Sequence, residues 1–300
     1  VKPDQHFLCR FPARARFILD EIEHWRGLQE DLLSFPLTPQ PQCPAKEQFL
    51  RDTDIHGLEL IYASASFTQN ASMFGHTMLH ILRSPSKPAL EDPVISFVAK
   101  TTVGGFMEII YGLLGRFAGV IEIANLSQRI LNYTVLERRN LWSFKLKIPQ
   151  KNLTRFAAHL WEMNSTFFYY HFFHENCAFY NQTLLQIALP EIPLREEMSI
   201  FSLPLEAVRA VTQHPDLIEQ ISFYPSAYRI YEEGWNVLSS AERVLVERVL
   251  VNSQPILLPP ERAALVYMTA LNARLMKTYQ TTLKVSDEER KRLEALYTLL

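Results

Sequence analysis

The chain has 300 residues, of which 48% are hydrophobic, 21% charged and 12% aromatic, the make-up of a globular protein with a core larger than one minimal domain. Its formal net charge of −2 excludes the clustered cationic surface that binding to nucleic acid requires. Nine glycines, with no GxGxxG or GxxxxGK(S/T) run among them, leave no nucleotide-binding scaffold, and nothing calls for a cofactor.

The sequence opens at Val1 without a charged and apolar leader, so an export signal is expected to have been removed or left out. Residues 11–33 carry Phe17, Ile18, Glu21, Ile22 and Trp25 at helical spacing. Pro36, Pro39, Pro41 and Pro44 follow, and that stretch reads as a non-helical strap. From Leu58 the period changes. Residues 58–63 and 73–82 read as two strands joined across Thr68-Gln69-Asn70-Ala71, and 94–98 as a third.

Segment 102–119 sets Gly104, Gly105, Gly112 and Gly115 among large apolar residues and reads as a mobile loop and helix, a candidate lid or membrane-facing entrance. The longest apolar stretch, 103–126, is broken by Glu108, Arg116 and Glu122. It falls short of the about 18 uninterrupted residues of a spanning helix, yet it can touch a bilayer. Residues 121–135 and 141–148 resume strand character, whereas 150–163 is an amphipathic helix. An aromatic run, 167–173, precedes a helix over 177–189 that Pro190 ends. Glu137-Arg138-Arg139 reads as a solvated turn. After Pro193 the pattern is helical throughout. Ser239 with Glu242 and Ser286 with Glu289 form capping boxes, and Pro260 stands as a first-turn proline ahead of a helix over 262–283. The expected organisation is a helix and strap over 1–54, a core domain over 55–193 and a helical region over 194–300.

Three cysteines are present. In an oxidising compartment Cys9 pairs with Cys43 and leaves Cys177 as the odd thiol; in a reducing one all three are inert. Cys177 opens a helix, where unsatisfied N–H groups and the dipole favour a thiolate. A nucleophilic thiol needs an imidazole as base. His171 and His174 are near in sequence. His76 follows Gly75, which admits a close neighbour, and begins a strand pattern. A strand-borne His76 facing a helix-borne Cys177 is the papain-type arrangement. Against it stands the reading in which both are core residues. His76 and His80 are four apart, which on a strand means roughly 13 Å at about 3.3 Å per residue, so no metal site is expected there.

Asn70-Ala71-Ser72-Met73-Phe74-Gly75-His76-Thr77, Glu137-Arg138-Arg139-Asn140-Leu141-Trp142 and Phe168-Tyr169-Tyr170-His171-Phe172-Phe173-His174-Glu175-Asn176-Cys177 resemble the signature stretches of the Lnb amino-terminal periplasmic domain family, named for a lipoprotein N-acyltransferase. Cys9-Arg10-Phe11-Pro12-Ala13-Arg14 resembles a segment that often precedes that domain. The likeness covers 55–190 best. Asn176-Cys177 is also similar to the Asn-Cys pair of the lecithin-retinol acyltransferase group, a permuted relative of NlpC-type peptidases. The resemblance implies an α+β fold with a permuted papain-like core, an antiparallel sheet packed on the cysteine helix. It implies an extracytoplasmic, cell-envelope thiol acyltransferase or hydrolase acting on a phospholipid or lipoprotein at a membrane surface. His76 and Cys177 would be catalytic, with Ser72, Glu175 and Asn176 in support. His174 stands where relatives carry an acidic residue. A cell-wall amidase or peptidase with the same dyad, and a non-catalytic periplasmic binding module, are the alternatives.

Overall fold

The computed structural model describes residues 6–28, 42–66, 73–101, 106–164, 166–198, 201–252 and 255–279. It is a mixed α+β structure. A short helix α1 (Phe7–Arg10) leads into α2 (Pro12–Leu28). Cys9 and Cys43 are joined by a disulfide with 5.2 Å between their Cα atoms. Pro44, expected to lie in a non-helical strap, is the first residue of α3 (Pro44–Thr53). Proline suits that position because its missing N–H is one the first turn leaves unpaired in any case. Pro36, Pro39 and Pro41, the expected turn at 68–71, the second capping box at Ser286 and Glu289, and the far ends of the helices expected over 11–33 and 262–283 lie outside the described residues.

The strands β1 (Gly57–Ala63), β2 (His76–Leu82), β3 (Pro93–Lys100), β4 (Phe117–Asn125), β5 (Leu141–Leu146), β6 (Phe168–Tyr170) and β7 (Ile218–Tyr224) form one sheet in the order β6-β4-β3-β2-β1-β5-β7. The β2–β3, β3–β4 and β4–β6 pairings are antiparallel, with Met78 opposite Ser96, Ile95 opposite Ile123 and Phe117 opposite Tyr170. Two strand expectations are corrected. Residues 121–135 do not form one strand: β4 ends at Asn125, and α5 (Leu126–Ile130) runs into a π-helical turn (Leu131–Leu136). The apolar residues of 126–135 satisfy helical as well as strand spacing, and periodicity alone does not separate the two in a short run. The region after Pro193 is not wholly helical, because β7 forms the sheet edge next to β5. Its half-exposed Ile-Glu-Gln-Ile pattern buries too little apolar surface to read as a strand.

Alternation along the strands sends Leu58 and Leu60, Leu79 and Ile81, and Ile95 and Phe97 to one face. There they meet α6 (Gln150–Met163) and α7 (Cys177–Ala188) through Leu153, Phe156, Leu160, Leu184 and Leu185. Phe97 and Phe156 are fully buried, each contributing roughly 1.5–3 kcal/mol to the core. The helices α4 (Phe106–Leu113) and α8 (Pro204–Thr212) complete this part. It is the first of two compact units, comprising residues 1–62, 76–126 and 144–221.

The second unit comprises 63–75, 127–143 and 222–300. Here α9 (Ala227–Val237), α10 (Ser240–Asn252) and α11 (Pro260–Thr278) pack around Leu238, Val246, Val249, Val266 and Tyr267. Ser239 and Glu242 exchange bonds as a capping box: the Ser239 N–H donates to the Glu242 carboxylate at 2.8 Å, and the Glu242 N–H donates to the Ser239 hydroxyl at 3.4 Å. Arg139, read from sequence as part of a solvated turn, is buried. Its guanidinium donates to the carbonyls of Ala63 at 3.0 Å and Ser64 at 2.6 Å and to the Glu137 carboxylate at 2.7 Å. A buried guanidinium needs this number of acceptors, and the chain supplies them from two separate segments.

Candidate functional site

The start of α7 is built by Asn176. Its side-chain oxygen accepts the N–H groups of Ala178 at 2.9 Å and Phe179 at 3.3 Å, which caps the helix. Its amide nitrogen donates to the carbonyls of Phe172 at 2.8 Å and Ser202 at 2.7 Å. One buried side chain therefore ties the loop before the helix, the helix itself and the chain before α8 into a fixed arrangement. Asn176 positions its neighbour and does not face a substrate.

Cys177 is the free cysteine and is 3% exposed. Burial pushes the thiol above the ordinary thiol range, and the polar groups of Thr77, Tyr170 and Ala178 beside the sulfur offset that only in part. The expectation that the helix terminus lowers this pKa is thus corrected: desolvation by burial is the largest cause, and it acts upward. The Cys177 N–H donates to the Tyr170 hydroxyl at 3.3 Å. Tyr170 is itself buried, at the end of β6.

Thr77 is fully buried, and its hydroxyl accepts from the Asn181 side chain at 3.0 Å. Thr77 is the residue after His76, so the backbone brings Cys177 directly against the start of β2. The His76 imidazole takes another direction. Its Nε2 lies 2.6 Å from the Ser96 hydroxyl. Ser96 pairs with Met78 on the sheet face that carries His80, whereas Thr77, Leu79 and Ile81 point toward α7. The structure therefore juxtaposes the two residues along the chain and holds the ring on Ser96. Catalytic hydrogen bonds in a protein without its substrate are often long or misaligned and tighten when the substrate binds.

The remaining expected residues are dispersed. Glu175 is about two-fifths exposed, its carboxylate 3.9 Å from His171, at the rim of the site. It lines a cavity of about 500 Å³ with His174, Phe179, Arg195 and Ser202, where the Arg195 guanidinium lies 4.4 Å over the Phe179 ring. Ser72 lies outside the described residues. His174 stacks on Phe201, and the His171 ring fills the space a side chain at Gly115 would need. Among the described residues no group of three histidine, cysteine or carboxylate side chains could hold a metal ion. His80 is occupied with Glu59 at 3.0 Å and Asp92 at 3.5 Å, and Asp92 in turn binds Arg83 at 2.7 Å.

Three neighbours of Cys177 and His76 were not read from sequence: Ser96, Thr77 and Tyr170. A signal existed for Ser96, a lone hydroxyl inside the apolar run Val94-Ile95-Ser96-Phe97-Val98. Tyr170 was hidden in the aromatic run. No helix among the described residues is long and apolar enough to cross a membrane. The family model for the Lnb N-terminal periplasmic domain matches residues 45–214, more than half of the chain. No curated protein and no solved structure matches.

Proposed function

As this chain belongs to the Lnb N-terminal periplasmic domain family, a family that fits an extracytoplasmic location, we propose that it is a thiol acyltransferase or hydrolase with Cys177 as nucleophile and His76 as base, on a permuted papain-like core. The observation that carries this reading is Cys177 at the first turn of α7, a helix bonded to Thr77 through Asn181, one peptide from a histidine whose Nε2 lies 2.6 Å from the Ser96 hydroxyl. An imidazole held at Nε2 by a buried hydroxyl has a fixed ring plane, which is the third-residue role in such sites.

In this scheme His76 takes the Cys177 proton as the sulfur attacks an acyl carbonyl, and a C–S bond forms. The tetrahedral adduct collapses, the alcohol oxygen of the donor leaves, and His76 returns the proton to it. An amine or water then attacks the thioester, giving its proton to His76, and the thiol is regenerated. Tyr170 accepts from the Cys177 N–H and so keeps its own proton to direct toward the sulfur or the developing oxyanion. The acyl group would come from a phospholipid or lipoprotein, with lipoprotein N-acylation the family's namesake outcome. Exposed Phe106, Met107, Leu113 and Leu114 on and just after α4, with Phe167 and Tyr169 at edge strand β6, support contact with a membrane surface. The same dyad facing a cell-wall amide would make an amidase or peptidase.

The test is intact-mass analysis after incubation with phospholipid vesicles and a lipopeptide amine. The expected result is an acyl adduct on the protein that Cys177→Ala abolishes and that His76→Ala or Ser96→Ala slows at least about tenfold. An equal adduct in Cys177→Ala, or no adduct on the wild-type chain, rejects the thioester.

One observation favours a second reading, a non-catalytic periplasmic binding module: the thiol is buried and its pKa is raised. In that case iodoacetamide labels Cys177 slowly with or without vesicles, and His76→Ala changes nothing. In the enzyme, vesicles accelerate labelling, and His76→Ala removes the acceleration.

A further inference from the structure

On the far side of α6 from the sheet core, α2 and α6 are clamped at one end and stand apart at the other. The clamp is the Glu162 carboxylate, which accepts the N–H groups of Ala13 at 2.7 Å and Arg14 at 3.0 Å. Trp161 reinforces it by donating to the Cys9 carbonyl at 2.7 Å. From there a cavity of about 820 Å³ opens, within the size range of small-molecule sites. Ala13, Ala158 and Ile187 line it together with Phe17 and Ile18, which are 66% and 46% exposed.

The polar lining has one sign of charge left over. Arg14 is paired with Glu162 and Arg16 with Asp20, the lining carboxylate. Lys151 and Arg155, one turn apart on α6, have no ion-pair partner among the described residues, and His159 follows one turn on. Desolvation holds the His159 pKa down, with Glu162 opposing it and Arg155 and Arg14 adding to it. A stripe of cations along an apolar wall complements a ligand with an anionic head and a hydrocarbon tail.

We infer that the α2–α6 groove is a binding site for a single-chain anionic amphiphile of the long-chain carboxylate class, its head on Lys151 and Arg155 and its chain along Ala158, Ile187, Phe17 and Ile18. A concave groove of this volume takes one chain lengthwise, which a flat membrane-contact face does not do. The inference does not depend on thiol chemistry, because no residue of the groove touches Cys177.

The experiment uses the full chain and cis-parinaric acid at monomeric concentration, with displacement by palmitate and by hexadecanol, which has the same tail and no charge. Expected are saturable one-site binding, displacement by palmitate, and displacement by hexadecanol at least about tenfold weaker, the factor that loss of a charge-assisted hydrogen bond implies. Arg155→Glu or Lys151→Glu weakens binding by a similar factor, and Ala158→Trp removes it by filling the groove, each with unchanged circular dichroism and melting. Cys177→Ala leaves it unchanged. Binding that ignores Arg155→Glu and Ala158→Trp, equal displacement by hexadecanol, no binding, or binding confined to phosphatidylglycerol vesicles each overturns the assignment.

Discussion

Asn176 makes four hydrogen bonds from a side chain that is almost wholly buried, two as acceptor from the α7 N-terminus and two as donor to loop carbonyls. Asn176→Ala removes the cap and leaves two buried carbonyls without a donor, a loss of about 2–4 kcal/mol readable by urea denaturation. Asn176→Asp keeps the cap but turns a charged oxygen toward those carbonyls, so it should recover only part of the loss. A second residue makes a pH-dependent contribution. Arg262, and then Ser239, hold the Glu242 carboxyl down to about 2 from an ordinary 4.5. A carboxyl whose folded pKa is depressed adds stability that is fully present above the unfolded value and lost as pH falls toward the folded one. Glu242→Gln should therefore melt below the wild type at pH 7, and the gap should close between about pH 4.5 and about pH 2. A gap that persists at pH 2 would assign the effect to packing.

At the scale of elements, the loop that delivers Cys177 leans on α4 through two glycines. A Cβ at Gly112 would lie 2.5 Å from the Phe172 ring, and one at Gly115 would lie 1.9 Å from the His171 ring. Gly115 also has φ +63°, a conformation L side chains resist. Gly115→Ala should cost about 1–3 kcal/mol and loosen the 171–176 loop, seen as faster amide exchange there than in α6. Patterns strong in one period were legible: α6 runs Gln150–Met163, as its amphipathic spacing reads, and α7 starts at Cys177, as the Asn-Cys step suggests. Elements whose apolar residues fit two periods were not. The run after Asn125 turns helical, and β7 is a strand with a half-exposed pattern, because each takes its state from what it packs against rather than from its own spacing.

For the whole molecule, the Cys9–Cys43 bond ties the amino-terminal helices across 34 residues. By loop-closure entropy it contributes about 3.5 kcal/mol, so the Cys9→Ser, Cys43→Ser double variant should unfold at correspondingly lower urea. An unchanged midpoint would mean that α1 and α3 are held by other contacts, such as those of Trp161 with the Cys9 carbonyl and the Phe49 ring. The α+β class and the strand core could be read from the chain by itself, since burial period and helix caps are local properties, whereas the candidate nucleophile follows from the family resemblance of residues 168–177 rather than from spacing. Local pattern also made Arg139 look solvated and Cys177 look activated. Tertiary structure decided otherwise, because burial and hydrogen-bond partners come from segments distant in sequence: Ala63 and Ser64 for the guanidinium, Thr77 and Tyr170 for the sulfur, Ser96 for the imidazole. A pKa depends on the solvent and charges that surround a group, and no stretch of sequence around residue 177 contains that surrounding.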